Sequence, residues 1–371
     1  MTIVHFGPAA LPIPHRTGGA IQRRMLEIAK MQASRGHCVI IYSADESSAE
    51  VEWCGVRIRS ISCAKTSRYF RDMEYLRKAL YDMRNQTADV FHFHSLPEGA
   101  ALSGKMSCTK FLSYDYFVFR RGKKTPLFWW YRNALRKFTC LLPVSEYCCY
   151  GSRLYWNLES VPIRVVHNGV NLEQFRPDPA QGTAKKRALN LEGTRIVLYV
   201  GRVCEQKGTD VLIDAYLKLK QECSDVRLVV TGPPGKFGEL GETALTRRIS
   251  ESGGLYLGAV HEQDLASIYN IADVFVMPTR EIEMFGMAAV EAQACGKPVV
   301  ASQHGALPEV ISKRSGRFFP VGDPIALADQ LLLLLRDPGL YSSLAEAARE
   351  NATRFAWPRI ADQLEATYSQ A

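Results

Sequence analysis

The stretch VFVMPTREIEMFGMAAVEAQACGKPVV, residues 274–300, decides the architecture of this 371-residue chain. Val274–Met277 is an apolar, β-rich run stopped by Pro278, which cannot donate to a strand ladder. A polar loop with Glu281 and Glu283 follows. A helical pattern then opens near Phe285-Gly286 and carries Glu291, and Gly296-Lys297-Pro298 ends it before the next apolar run. Strand, loop, helix and strand in this order make a βαβ unit, which requires a parallel sheet. Seven residues separate the two glutamates. Helical spacing sets Glu291 more than a turn beyond the helix start, so a loop acid and a helix acid can both face a ligand held at the helix N-terminus. N–H groups of Phe285, Gly286 and Met287 suit an anion such as a diphosphate, with the helix dipole assisting. Carboxylates accept hydrogen bonds from sugar and ribose hydroxyls.

The same alternation extends outward in both directions. Toward the N-terminus, strands are expected at Thr2–Phe6, Cys38–Tyr42, Val90–His94, Lys110–Ser113, Leu141–Val144 and Val161–Val166, the last feeding a turn at Asn168-Gly169. A helix over Ala20–Ser34 carries Met25, Ile28, Ala29 and Gln32 along one side. The pattern restarts with Arg195–Val200, a helix over Gly208–Gln221, then Arg227–Thr231, Leu255–Leu257, Val274–Met277 and Pro298–Ser302. Two Rossmann-like domains in series fit this order. The polar, turn-rich segment Leu172–Asn190 reads as the seam, and a final helix is expected near Pro358–Tyr368.

Two further loops carry candidate chemistry. Gly201-Arg202 and Lys207-Gly208 follow the apolar strand Ile196–Val200, at the kind of strand end where α/β proteins bind ligands, and both cations can clamp phosphate oxygens. Thr17-Gly18-Gly19 opens the first helix, where glycines allow close backbone approach to a ligand. The chain has neither a Walker lysine motif nor the dinucleotide Gly-x-Gly-x-x-Gly after its first strand, which disfavours a nicotinamide enzyme.

Composition narrows the class. At 47% hydrophobic and 23% charged residues the chain is a globular protein, not a disordered one. Ten scattered cysteines with no Cys-x-x-Cys pair argue for a reducing, cytoplasmic setting and against a zinc knuckle. No secretory signal or spanning segment is expected. The net charge of +8 is unevenly held: residues 1–172 carry +11 and the remainder −3. The densest stretch, Arg120–Lys137, contains Arg120, Arg121, Lys123, Lys124, Arg132, Arg136 and Lys137 with Phe128, Trp129, Trp130 and Tyr131, and no acid. Such a stretch suits an anionic membrane surface, giving a cytoplasmic protein that is peripheral at the inner face of the membrane. Nucleic acid is disfavoured as a partner, because it would leave the Glu283/Glu291 constellation unexplained.

Taken together these motifs resemble the retaining glycosyltransferases of family 4, which have the GT-B fold. The resemblance runs from Gly18-Gly19 and Arg35-Gly36-His37 through Asp89–His94, Val144-Ser145, Asn168-Gly169-Val170 and Gly201-Arg202 with Lys207-Gly208. It continues through Ala272–Phe275, Glu283-Met284-Phe285-Gly286, Glu291-Ala292, Gly296–Val300 and Gly305 with Pro308-Glu309-Val310. It implies two Rossmann-like domains facing across a cleft. An acceptor domain would span residues 1–166 together with a C-terminal helix, 355–371, that crosses back to it, and a nucleotide-sugar domain would span 167–354. Arg202 and Lys207 would neutralise the donor diphosphate and Glu283 would touch the donor sugar. Phe285, Gly286 and Met287 would bind sugar and phosphate through their backbone, Glu291 would hold the ribose hydroxyls, and the loop at Val260-His261 would contact the base. Gly18 and Gly19 also belong to the donor-binding set. The acceptor would enter near His94, Tyr114 and Asp115.

The implied activity is metal-independent, retaining transfer of a hexose or hexose derivative, from a UDP sugar in preference to a GDP sugar. The acceptor would be a glycan, lipid-linked or small-molecule hydroxyl, in cell-surface polysaccharide or glycoconjugate synthesis. No cofactor is expected, and the absence of any Asp-x-Asp agrees with transfer without a metal. The alternative is a non-catalytic GT-B protein that binds a sugar nucleotide. Three positions depart from the family pattern: Tyr114 stands where relatives carry a His, Met284 where they carry Pro, and Ala306 replaces the second Gly of a pair. The first departure leaves the role of that His to Tyr114 or His94.

Overall fold

The computed structural model describes residues 1–9, 12–13, 19–46, 48–63, 68–104, 106–115, 125–158, 160–235 and 243–370. They form two α/β units: residues 1–169 with 357–371, and residues 170–356.

The sheet of the first unit contains β1 (Thr2–Phe6), β2 (Cys38–Asp45), β3 (Ala49–Trp53), β4 (Val56–Ser62), β5 (Val90–His94), β6 (Thr109–Tyr114) and β7 (Cys140–Pro143), in the spatial order β3-β4-β2-β1-β5-β6-β7. All neighbours are parallel except the β3–β4 hairpin. The central strands are buried on both faces, as covered parallel sheets require. One face packs Phe6, Tyr42, Phe91 and Phe93 against one another. The other receives the last helix, Trp357–Ser369, whose Trp357, Ile360, Leu364 and Tyr368 recur at helical spacing and pack on Ile3, Val90, Phe111 and Leu142. Gly169 admits the Trp357 indole, since a Cβ there would lie 2.2 Å from the ring. Arg35 anchors the same helix by pairing with Asp362 and Glu365.

The second unit is an all-parallel sheet of β8 (Arg195–Val200), β9 (Val226–Thr231), β10 (Leu255–Tyr256), β11 (Val274–Met277), β12 (Val299–Ser302) and β13 (Gly316–Phe319), ordered β10-β9-β8-β11-β12-β13. In each unit the strand order reverses beside the first strand, between β1 and β5 and between β8 and β11. Crevices at the carboxyl ends of such strands are where open α/β sheets take ligands.

Three expectations are corrected. Val161–Val166 is not a strand, because Pro162 interrupts it; an isolated bridge between Leu141 and Ile163 and a few backbone bonds tie it to β7. The segment expected as a polar seam contains a helix, Pro179–Ala188, within the second unit; the Asp178 side chain accepts from Gln181 N and Pro179 fills the first turn. The helix expected to open near Phe285 begins at Met287, because Gly286 adopts φ 99°, outside the helical range. Among the described residues no helix is long and apolar enough to cross a membrane.

Candidate functional site

Two loops meet at the switch point of the second unit. One follows β8 and carries Arg202, Gln206, Lys207 and Gly208; the other follows β11 and carries Thr279, Arg280, Glu281 and Glu283. They interlock through the backbone: the N–H groups of Arg280 and Glu281 both donate to Gln206 O at 3.0 Å. Gly208, at φ 72°, lies so near Pro278 that a Cβ would approach its carbonyl oxygen to 1.8 Å. Side chains repeat the link. Lys207 Nζ donates to Glu283 Oε2 at 2.6 Å, and Arg280 pairs with Asp210. Glu283 is steadied from a third side by Ala306, whose N–H donates to the Glu283 carbonyl at 2.8 Å.

The helix Met287–Ala294 starts directly beyond Glu283. Its first N–H groups, on Met287 and Ala288, precede the first internal bond, in which Ala289 N donates to Gly286 O. Phe285 lies before the helix and is buried, with its ring edge-on to Phe355. Glu291 is also buried, and Oε2 accepts from the Tyr269 phenol at 2.7 Å, which fixes the carboxylate on the helix side. A cation, a partly exposed carboxylate, a helix N-terminus and a second, held carboxylate therefore occur together at one sheet end. That combination can bind a phosphate-bearing, hydroxyl-bearing ligand.

The residues expected on the acceptor side, His94, Tyr114 and Asp115, line a pocket in the first unit. It is lined by Ala20, Ile21, Arg24, His94, Ser95 and Asp115, with Ser113, Tyr114, Val144 and Asn168 completing the wall. Arg24 is buried, and burial lowers its pKa to about 10, leaving it charged at neutral pH. Its NH1 donates to Asn168 Oδ1 at 2.8 Å, and its NH2 donates to Ser113 Oγ at 3.2 Å and Val166 O at 3.0 Å. His94 is one of three buried imidazoles, with His5 and His92, whose ring nitrogens lie within 4.8 Å of one another. His92 meets Ser113 Oγ at 2.7 Å and the Tyr368 phenol at 2.6 Å. Desolvation lowers the pKa of all three. Tyr114 is buried beside Ser152 and Cys148, and desolvation raises its pKa, so it remains a phenol.

The second unit brings Lys207, Glu283, Gly286 and Met287 to one sheet end, with Arg202 half-buried on the β8 loop and Glu291 on the adjoining helix. Val260 is half-buried and His261 exposed in the loop after β10. Gly19, at φ 148°, caps the helix Ala20–Ser34, whereas Gly18 and residues 120–124 of the basic stretch lie outside the described residues. Sequence reading missed Gln206, Asp210, Tyr269, Arg24, Ser113 and Asn168. It also missed Gly232, where a Cβ would approach Gly201 O to 2.0 Å; the Gly232-Pro233-Pro234-Gly235 run was the available signal.

Comparison with known proteins adds the following. The model described as "Glycosyltransferase Family 4" matches residues 17–174 and that described as "Glycosyl transferases group 1" matches residues 181–351. A D-inositol 3-phosphate glycosyltransferase of Saccharomonospora viridis is 35% identical over 227 residues, covering 56% of this chain and 50% of that protein. The chain thus spans about half the length of the curated relatives it matches. Among solved structures, sucrose-phosphate synthase from Thermosynechococcus elongatus superposes with TM-score 0.83 at 21% identity, covering 100% of this chain and 99% of that one. HepE of Anabaena in complex with UDP superposes with TM-score 0.80 at 18% identity, covering 100% of both chains. At these identities the likeness is one of fold, and it matches the GT-B class expected from the sequence.

Proposed function

The chain belongs to family 4 of the glycosyltransferases, and from that premise we propose that it moves a hexose or hexose derivative from a nucleoside-diphosphate sugar to an acceptor hydroxyl. The observation that carries this reading is the Lys207–Glu283 pair beside the N-terminus of the helix Met287–Ala294. In the proposed complex Lys207 and Arg202 hold the diphosphate, and Glu283 accepts from the sugar hydroxyls. The backbone at Phe285–Met287 contacts sugar and phosphate, Glu291 holds the ribose, and Val260-His261 border the base. UDP is favoured over GDP. The support is that HepE of Anabaena, a fold neighbour, has been solved with UDP and with UDP-glucose.

Breaking the bond between C1 and the phosphate oxygen leaves positive charge on the sugar and negative charge on the departing diphosphate. Arg202, Lys207 and the helix N-terminus stabilise that negative charge where it develops, which is the form of catalysis worth most in a preorganised site. The acceptor oxygen attacks from the face the diphosphate leaves. A new C–O bond forms at C1, and the acceptor proton passes to a departing phosphate oxygen, so configuration is retained. With this cationic set on the phosphates the reaction proceeds without a metal or other cofactor. The acceptor is a hydroxyl of a glycan, a lipid-linked acceptor or a small molecule, taken by the pocket around His94, Tyr114 and Asp115.

A role at the inner membrane face, in cell-surface polysaccharide or glycoconjugate synthesis, is part of the same reading. The helix Pro126–Leu135 exposes Trp129 and Trp130, side chains suited to a headgroup boundary. Arg132 is committed elsewhere: its Nε donates to Trp156 O at 2.9 Å. The test of the transfer reading is UDP release from a UDP-sugar by the protein and by Glu283→Ala and Glu291→Ala. Loss in both supports the assignment, and unchanged rates in both remove it.

A further inference from the structure

The first unit contains a hydrogen-bond chain that runs from Gln32 through His5 to His94. Gln32 Oε1 lies 2.8 Å from His5 Nε2, and His5 Nδ1 lies 3.0 Å from His94 Nε2. A carbonyl oxygen only accepts, so His5 carries its proton on Nε2. His5 is neutral, because burial lowers its pKa to about 4 despite the opposing pull of Gln32. Its Nδ1 is therefore a bare lone pair, which can only accept, and so His94 holds its proton on Nε2. Desolvation, with repulsion from the charged Arg24, keeps His94 neutral as well. The tautomer is thus passed from the amide through His5 to His94, and His94 is left with a bare Nδ1.

That atom belongs to a ring that lines the pocket, is buried, and has no hydrogen-bond partner among the described residues. A buried acceptor left unmet costs about 1–3 kcal/mol, so the site is complete only with a donor in it. The surroundings select the kind of donor. Asp115 also lines the pocket, and its Oδ1 accepts from Ser95 Oγ at 3.3 Å. The NH1 and NH2 groups of Arg24 already donate to Asn168, Ser113 and Val166. An incoming anion would meet the Arg24 cation but also the charge of Asp115 and the lone pair of His94, whereas a neutral hydroxyl supplies the proton that His94 can receive with no charge to oppose. A chelated cation fits less well, because both nitrogens of His5 and of His92 already face hydrogen-bond partners.

We propose that this pocket binds an uncharged hydroxyl of the acceptor, whose O–H donates to His94 Nδ1, and that His5 and Gln32 are positioning residues that fix the receiving lone pair. The proposal rests on the reading of the first unit as the acceptor half.

The test uses full-length protein labelled with 15N-histidine and long-range 1H–15N correlation of the imidazoles. Expected for the free protein is a His94 protonated on Nε2 with unprotonated Nδ1. The His94 Nδ1 resonance should then move on titration with at least one neutral polyol, from myo-inositol, glucose and glycerol, and stay fixed with inorganic phosphate. Gln32→Met removes the fixing acceptor while conserving volume. It should mix the His94 tautomers and weaken polyol affinity at least about fivefold, one kcal/mol or so. A His94 protonated on Nδ1 in the unsubstituted protein overturns the proposal without any variant having to fold. So does movement with phosphate but with none of the polyols, or no movement with any of them. The underlying reading fails by a different signature: polyols that shift His261 or His304 of the second unit and leave His5, His92 and His94 unmoved.

Discussion

Lys207 Nζ lies 2.6 Å from Glu283 Oε2, so the loop after β8 and the loop after β11 are joined by a charge pair that spans 76 residues of sequence. Both side chains are about a fifth exposed, and the pair is accessible to a ligand that competes for either member. A donor diphosphate would draw Lys207 and release Glu283 to the sugar. Lys207→Met should lower kcat/KM by about two to three orders of magnitude, the usual cost of losing a donor to developing charge. Glu283→Gln should lower it less, and the double variant should lose less than the sum, because the two act on one ligand and on each other. Steady-state UDP release across the four proteins checks this; strictly additive losses would show that the two residues act independently.

The interlocked loops predict where a single methyl group is intolerable. Gly208→Ala combines φ 72° with a Cβ 1.8 Å from Pro278 O, and it should cost roughly 2 kcal/mol or more while separating Lys207 from Glu283. Gly36→Ala is the control: φ is 85° but nothing lies within 4 Å, so only backbone strain of about 1 kcal/mol applies. Urea midpoints measure both. Equal shifts would mean that the contact with Pro278 is not what holds these loops.

The buried imidazoles make stability depend on pH. Unfolded histidines titrate near 6.5, and His5 in the folded chain falls to about 4, with His92 and His94 also lowered; Arg24 faces the cluster and adds to the repulsion of a bound proton. Below 6.5 the unfolded chain binds protons that the folded chain refuses. Stability is therefore full above about pH 7 and falls with acidification, by about 3 kcal/mol for His5 alone on reaching pH 4. Differential scanning calorimetry should find Tm dropping between pH 7 and pH 5; a flat Tm over that interval would contradict the neutral, buried assignment.

The helix Pro126–Leu135 gives a prediction about surfaces. Trp129 is 50% and Trp130 37% exposed, each with one edge against a buried aromatic neighbour, Phe128 and Tyr131. Trp129→Ala with Trp130→Ala should reduce sedimentation with vesicles of anionic phospholipid several-fold and leave Tm within a few degrees. Neutralising Arg120, Arg121, Lys123 and Lys124 should have the same effect at low salt. Vesicle binding that survives both changes would count against a membrane role for this stretch.

Local geometry was legible in the sequence, and contacts between distant segments were not. Thr2–Phe6, Ala20–Ser34, Arg195–Val200 and Val274–Met277 were read at their observed bounds, because apolar periodicity and flanking glycine or proline decide them. Glu283 and Glu291 were legible because strand, loop and helix succeed one another along the chain. The Lys207–Glu283 pair depends on β8 lying beside β11, and Arg24 reaches Asn168 across 144 residues; neither follows from spacing. The β3–β4 hairpin escaped for a local reason. Its turn places Cys54 at φ 50° and Gly55 at φ 76°, a geometry usually marked by Asn-Gly or Asp-Gly, and a cysteine gives no such signal.

The central claim is that the end of the β8–β11 sheet binds a nucleoside-diphosphate sugar, and a thermal-shift measurement with UDP-, GDP- and ADP-sugars tests it most directly. At a hundredfold excess over Kd a ligand of the folded state adds about 2.7 kcal/mol. At least one of these sugars, the UDP series first, should raise Tm by a few degrees, and Lys207→Met and Glu291→Ala should each shrink the rise, with no added metal and in the presence of EDTA. No rise with any of the three series, or a rise that both variants leave intact, would contradict the account.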